Sequence, residues 1–311
     1  MQRIRYLQLD VFTSEPFGGN QLAVFFDAAR MTAEEMQAIA REMNFSESVF
    51  TLEPADPQAL ARLRIFTPQV ELPFAGHPVI GATFALASAG RITPATASPT
   101  TLEVGVGPLA IELLFADSRL SFAWMRQPTP SFQAWSGDRA ALAESLGLTQ
   151  DDLRADLPIE RGSAGVPFIY IPLTSAGALD RAQPGPGLST AMSDAESHTG
   201  AYLFVPPTPG ATEPIQARMF AQGMGIVEDA ATGSAAGPLG AYLTRYGMAK
   251  VEDGQARMTI AQGVRMGRPS RLVVSVEQRD DTISQVRVGG EAVVVAQGEF
   301  LLPDIPAVTS A

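Results

Sequence analysis

Val227–Gly247 reads VEDAATGSAAGPLGAYLTRYG and has an earlier counterpart at Val70–Gly90, VELPFAGHPVIGATFALASAG. Laid over one another without a gap, the stretches match at Val70 and Val227, Glu71 and Glu228, Gly76 and Gly233, Leu86 and Leu243, and Gly90 and Gly247. In each, an acidic residue precedes a small Gly-containing turn. The turn opens a run of small and aliphatic residues that stops at Gly. Just upstream, Arg64-Ile65-Phe66 is echoed by Arg218-Met219-Phe220. An internal repeat fixes architecture before any single residue does. This one predicts two similar halves, each with a buried helix whose N-terminus follows a Gly turn.

Such geometry has a chemical consequence. A helix N-terminus carries unpaired N–H groups and the positive end of a dipole, so it attracts carboxylates and phosphates. Two such ends facing one cleft would hold a small anion from both sides. The backbone N–H groups of Gly76, His77, Gly233 and Ser234 are the candidate clamp. The turns differ, Ala75-Gly76-His77 against Thr232-Gly233-Ser234. The site is therefore expected to be symmetric in backbone and asymmetric in chemistry.

Composition narrows the function. A chain of 311 residues with 46% hydrophobic and 18% charged residues is long and apolar enough for two cores and is not disordered. The net charge of −11, with no Lys or Arg cluster, argues against nucleic acid. The absence of cysteine excludes disulfides, thiolate metal sites and a Cys nucleophile, and two histidines, His77 and His198, exclude a His-rich metal site. No metal is therefore expected. The apolar runs fall short of the roughly 18–20 residues a membrane span needs. Arg3, Arg5 and Asp10 interrupt the N-terminal run, so no signal peptide is expected and the default location is the cytoplasm.

Along the chain, Arg5–Val11, Gln21–Phe26, Ser48–Leu52 and Ala61–Phe66 pattern as strands, with a turn at Glu15–Asn20. Thr32 and Glu35 form a capping box for an amphipathic helix. The first central helix is expected over Pro78–Ala89, with Pro78 at its first position. Thr101–Val106, Leu109–Phe115 and Leu120–Met125 follow as strands, with a Gly-Pro turn between the first two. Gln127-Pro128-Thr129-Pro130 reads as the linker. The second half retraces the first: a helix over Asp138–Leu146, then strands at Gly165–Pro172 and Ala201–Val205. Ile215–Phe220 leads into the second central helix, Ser234–Arg245. Strands at Met258–Gln262, Arg271–Val276, Ile283–Val288, Ala292–Val295 and Phe300–Leu302 close the pattern. Helices apolar all round in strand-rich halves predict an α+β fold. Each of two pseudo-symmetric domains is a curled mixed β-sheet wrapped around a central helix. The expected division is 1–126 for the first domain, 127–285 for the second, and 286–311 for C-terminal strands and tail packing back on the first.

The segments DVFTSEPFGGNQLAVF, AREMNFSESVF, RIFTPQVELPFAGHP and VEDAATGSAAGPLGAYL, in this order and spacing, resemble the phenazine-biosynthesis PhzF-like family. The likeness runs from about residue 5 to about 300. It implies the diaminopimelate epimerase fold, a homodimer, and proton transfer without a cofactor. By position it implies that Glu47 is the acid/base group and that His77, Asp229 and Ser234 join it. Two departures stand out. Ala230 replaces the proline that usually follows the aspartate, and Pro238 sits early in the second central helix, where it can kink it. The related epimerases and racemases use two cysteines, which the repeat places at Ala75 and Thr232.

The expected activity is that of an isomerase moving a proton within a small carboxylate-bearing substrate. Glu47, at a helix-to-strand junction, would be tuned by an apolar surround. Each residue also has a plainer role. Glu47 could be a solvated loop carboxylate, His77 a satisfied buried imidazole, Asp229 a first-turn acid and Ser234 an N-cap. Asn20 could orient a substrate or merely serve a left-handed turn, and His198 is expected at the surface. Gly76, Gly233 and Thr232 complete the expected binding set. Two alternatives stay open: a racemase- or epimerase-like enzyme on an amino-acid derivative, and a non-catalytic protein that binds small anions or a partner.

Overall fold

The computed structural model describes residues 2–96, 98–192, 199–208, 213–280 and 282–302. His198 and the tail from 303 lie outside the described residues. In chain order the first half comprises β1 (Gln2–Val11), β2 (Asn20–Phe25), α1 (Ala33–Met43), β3 (Glu47–Leu52), β4 (Ala61–Phe66), β5 (Glu71–Leu72), α2 (Gly76–Ser88), β6 (Thr100–Val104), β7 (Gly107–Ala116) and β8 (Arg119–Gln127). Then come β9 (Ser131–Ala134), α3 (Arg139–Ser145), β10 (Glu160–Ser163), β11 (Pro167–Pro172), α4 (Ala176–Arg181), α5 (Leu188–Ala191), β12 (Gly200–Phe204), β13 (Ile215–Ala221), β14 (Ile226–Asp229), α6 (Gly233–Arg245), β15 (Val251–Glu252), β16 (Gln255–Gln262), β17 (Ser270–Arg279), β18 (Thr282–Gly290) and β19 (Ala292–Leu302).

The halves repeat one topology. In the first, β2 is antiparallel to β1 and parallel to β3, and β4 is antiparallel to β3. β4 then carries β5 antiparallel and β6 parallel, and β6, β7 and β8 form a meander. In the second, β10 to β14 and β16 to β18 reproduce each of these pairings. β8 and β18 pair antiparallel, with Met125 opposite Val288, and join the halves. The closing strands are exchanged. β9, which follows the first half, pairs with β10, and β19, which follows the second, pairs with β1. The expected boundary at 126/127 falls on the last residue of β8, and that at 285/286 falls inside β18.

The two central helices are the axis of this arrangement. Both contain thirteen residues. Every residue from Gly76 to Leu86 and from Gly233 to Thr244 is buried. Burying a leucine such as Leu239 or Leu243 contributes about 2 kcal/mol. Small residues let the sheet approach. A Cβ on Gly81 would strike Leu22 and Val11, and one on Gly240 would strike Val274. One apolar cluster runs through both halves, from Val79 and Ile80 to Leu239 and Leu243. Smaller clusters lie beneath α1 and beneath α3, α4 and α5. Among the described residues no helix is long and apolar enough to cross a membrane.

Several local expectations are corrected. α2 begins at Gly76, so Pro78 is its third residue; the missing N–H still falls in the first turn, where none is needed. α6 begins at Gly233, with Thr232 at the cap position, so Ser234 is its second residue and not the N-cap. α6 runs unbroken through Pro238. Neighbouring carbonyls have side-chain donors instead: Gly233 accepts from Gln127 Nε2 at 2.8 Å and Ala235 from the Tyr170 hydroxyl at 2.9 Å. Asn20 opens β2 in extended form; the left-handed residue is Gly19, at φ +62°. The first hairpin turns at Gly105-Val106, with Gly107-Pro108 already in β7. The short strands β5, β9, β10 and β14 carry too few residues to show a period, and β19 is one strand where two short ones were expected.

The repeated Arg64 and Arg218 form repeated ion pairs. Arg64 grips Glu71 and Arg218 grips Glu228, each through Nε and Nη2. Arg218 is the more deeply buried. Its Nη1 also donates to the Leu179 and Ala182 carbonyls at the C-terminal end of α4.

Candidate active site

The N-termini of α2 and α6 meet. A Cβ on Gly76 would run into the backbone of Gly233 and Ser234. First-turn N–H groups have no partner within a helix, so this junction presents donors from both halves to one point. Around it lies a cavity lined by Glu47, Leu72, Phe74, Ala75, Gly76, His77, Val166, Phe168, Met219, Ile226, Asp229, Thr232, Gly233 and Ser234. Its volume is about 20 Å³, space for about one water. The expected residues Glu47, His77, Asp229, Ser234, Gly76, Gly233 and Thr232 all reach it. Asn20 stands just behind.

Glu47 is the first residue of β3, in parallel register with Leu22 of β2. Its Oε2 lies 3.5 Å from His77 Nε2. Both atoms are buried without a hydrogen-bond partner among the described residues. Burial pushes the Glu47 carboxyl well above the usual range; the Asp229 charge adds to this and a Ser46 hydrogen bond opposes it. Burial also holds the imidazole of His77 down at about 3, against a hydrogen bond with the Gln21 backbone. The contact is thus no ion pair. A neutral imidazole faces a carboxyl that burial makes more basic.

Asp229 closes β14 and belongs to a chain of buried polar groups. Asn20 Nδ2 donates to its Oδ1 and the Thr232 hydroxyl to its Oδ2, both at 2.6 Å. Asn20 also donates to the Ala231 carbonyl at 3.0 Å, stands 3.2 Å from His77 Nδ1, and accepts from the Ser46 hydroxyl at 2.8 Å. Burial raises the Asp229 carboxyl to about 6, held back by Thr232, Asn20, Ser46 and the Ala230 backbone. Asn20 is therefore a fully engaged link between β1–β2 and the acid, and Thr232 spends its hydroxyl on Asp229.

Three residues of this chain were not anticipated from sequence: Ser46, Gln262 and Tyr202. Gln262 donates to the Asp229 carbonyl and to Thr232 Oγ1, and accepts from the Thr232 N–H and the Tyr202 hydroxyl. A signal for it existed. Gln262 continues the inward row Ala256, Met258, Ile260 of one strand, where a polar side chain needs a partner.

Strand registers show which residues correspond between halves. Ser48 faces Phe66 and Ala201 faces Phe220, so the counterpart of Glu47 is Gly200. A Cβ there would press on the Phe168 ring and the Met219 sulfur. The counterpart of Asp229 is Leu72 and that of His77 is Ser234. None of the three titratable groups at the junction has a titratable counterpart in the other half.

The chain has clear relatives. The profile of the PhzC-PhzF family, described as phenazine biosynthesis-like protein, matches residues 9–298. The trans-2,3-dihydro-3-hydroxyanthranilate isomerase of Pseudomonas aeruginosa is 39% identical over 298 residues, covering 96% of this chain and 99% of that one. A Bacillus anthracis phenazine biosynthesis protein of the PhzF family superposes with a TM-score of 0.86 at 29% identity, over 97% of this chain and all of that one. A probable proline racemase from Agrobacterium radiobacter shares the fold at 12% identity, with a TM-score of 0.64 over 98% of this chain and 94% of that one. With a two-half epimerase-type fold and matches over nearly its whole length, the chain is an isomerase and belongs to the PhzC-PhzF family of phenazine biosynthesis-like proteins.

Proposed function

We propose that this isomerase moves a proton between two carbons of a small carboxylate-bearing substrate, with Glu47 as the acid/base group and no cofactor. The observation that carries this is the pair of orphaned atoms, Glu47 Oε2 and His77 Nε2, facing one cavity at 3.5 Å. Buried polar atoms without partners are costly, and a substrate would supply what they lack. The substrate carboxylate sits at the joined helix ends and accepts from the N–H groups of Gly76, His77, Gly233 and Ser234. Glu47, raised by burial, takes a proton from one carbon and returns it to another. His77 hydrogen-bonds the migrating proton's neighbour, and Asp229 accepts from a substrate amine or hydroxyl. Leu72, Phe74, Val166, Phe168, Met219 and Ile226 form the dry walls. A space for one water admits a ring only after the walls part, so entry requires the halves to open.

Racemisation needs a second acid/base group on the opposite face, and the counterpart of Glu47 is Gly200 beneath Phe168. The observation favours one-face transfer. We further propose a cytoplasmic homodimer. The outer edge of β19 has no strand partner among the described residues, and long free edges invite pairing.

The test is turnover of trans-2,3-dihydro-3-hydroxyanthranilate in deuterated water, followed by proton NMR. Isomerisation by the wild type, abolished in Glu47→Gln, is expected. A Glu47→Gln enzyme with near wild-type turnover removes Glu47 from the mechanism. Inversion of a stereocentre would restore the racemase reading.

A further inference from the structure

All four hydrogen-bonding positions of the Gln262 amide are used, and the side chain is fully buried. Nε2 donates to the Asp229 carbonyl at 2.8 Å and to Thr232 Oγ1 at 2.9 Å. Oε1 accepts from the Thr232 N–H at 3.2 Å and from the Tyr202 hydroxyl at 3.0 Å. The amide thus bridges both ends of the turn between β14 and α6. That turn holds Asp229 at one end and opens the anion-facing helix at the other.

The bond to Thr232 Oγ1 has a directional effect. A hydroxyl has one proton to donate. Once its oxygen accepts from Gln262, the remaining geometry sends that proton to Asp229 Oδ2, 2.6 Å away. Asn20 already donates to Oδ1. Both carboxylate oxygens then face donors, an arrangement that favours the charged form. The Thr232 N–H can only donate and the Asp229 carbonyl can only accept, so together they fix which way the amide points, with Oε1 toward the N–H and the Tyr202 hydroxyl and Nε2 toward the carbonyl and Thr232 Oγ1.

The other half shows that this set is not a requirement of the fold. By strand register and by the repeat, Gln262 corresponds to Val104, Tyr202 to Val49, Asp229 to Leu72 and Thr232 to Ala75. Each member is replaced by an apolar residue where the acid is missing. The same turn closes and the same helix starts there without any of these bonds.

We propose that Gln262 is a positioning residue of the proton-transfer site, which commits the Thr232 hydroxyl to Asp229 and so keeps the Asp229 carboxylate ionised beside Glu47. This rests on the reading of the cavity as the reaction site. The titratable groups that face Asp229 are Glu47 from β3, His77 from α2 and Tyr202 from β12. An ionised Asp229 in turn raises Glu47, so Gln262 acts on the acid/base group at two removes.

The test is a carbon-13 titration of protein labelled at the aspartate carboxyl carbon, with the Asp229 signal assigned by its loss in Asp229→Asn. Thr232→Val is expected to raise the Asp229 midpoint by about 1 pH unit, and Gln262→Leu by about half a unit. In a Thr232→Val background, Gln262→Leu should add nothing, because its effect passes through the hydroxyl. Thr232→Ser should restore the wild-type midpoint. A purely structural glutamine would lower the melting temperature and leave the midpoint in place. An unmoved midpoint in folded Gln262→Leu, or additive shifts in the double variant, overturns the proposal. Should Gln262→Leu fail to fold, an unmoved midpoint in the isosteric Thr232→Val does so alone. The titration uses no substrate. It can therefore fail while Glu47 remains the acid/base group, and loss of the Glu47 reading leaves its outcome intact.

Discussion

Glu47 and His77 face one another across 3.5 Å, one carboxyl oxygen against one ring nitrogen, and burial drives their proton affinities in opposite directions. The carboxyl gains affinity and the imidazole loses it. Burial thus makes the carboxyl the stronger base of the two and keeps the imidazole neutral.

Glu47→Gln keeps the shape and removes the titration. Turnover is expected to drop by about 10²–10⁴-fold, the usual contribution of a general acid/base group. Circular dichroism should be unchanged. Stopped-flow or endpoint assays on trans-2,3-dihydro-3-hydroxyanthranilate measure the loss.

The pH dependence of stability should carry both signs. The Glu47 carboxyl is raised in the folded state from an ordinary 4.5, so the fold loses stability as pH climbs above that value toward the folded one. Asp229 acts the same way between 3.8 and about 6. His77 is lowered from 6.5 to about 3, so the fold loses stability as pH falls from 6.5 toward 3. Melting temperatures across pH 3–8 should flatten on the upper side in Glu47→Gln and on the acid side in His77→Asn.

Gly76→Ala places a methyl group against the backbone of Gly233 and Ser234. Forcing the helix ends apart should cost about 1–3 kcal/mol. It should also abolish binding of small carboxylates, because the donors no longer converge. Denaturant melts and calorimetry with 3-hydroxyanthranilate read the two effects. A stable variant with unchanged affinity would show that the ends do not act together.

The repeated arginines should behave differently despite their repeated geometry. Arg218→Ala leaves Glu228 and the end of α4 without their donor, and breaking a buried pair costs about 3–5 kcal/mol. Arg64→Ala breaks a pair with an exposed carboxylate and should cost under about 1 kcal/mol. Urea melts of the two variants make the comparison directly.

The repeat at Val70 and Val227 made the two central helices and their meeting point legible, because a buried helix needs small and apolar residues on every side and so leaves a plain trace. Glu47, His77, Asp229 and Ser234 could be named because they stand inside or beside motif segments. Gln262 and Tyr202 could not be paired with Asp229 from sequence. The bond from Gln262 to Asp229 spans 33 residues and that from Tyr202 to Gln262 spans 60, and both depend on strand register. Of the exchange of β9 and β19, the return of the C-terminal strands to the first half is expected from sequence, whereas the pairing of β9 with β10 is hidden: which sheet a closing strand joins is decided by edges that do not exist until the rest has folded. For Asn20 the sequence leaves two roles open, a substrate contact or a left-handed turn, and it is the neighbouring Gly19 that takes the left-handed conformation.

That exchange also governs how the molecule can come into being. Val11 waits for Ala292, so the edge of β1 is sealed by a strand that is made only after both halves of the fold. A nascent chain must shield that edge until β19 has been made. Cutting the chain after Gln127 would not release a self-sufficient half; the first fragment would lose β19, the partner of its β1, and activity should return only when the two are mixed.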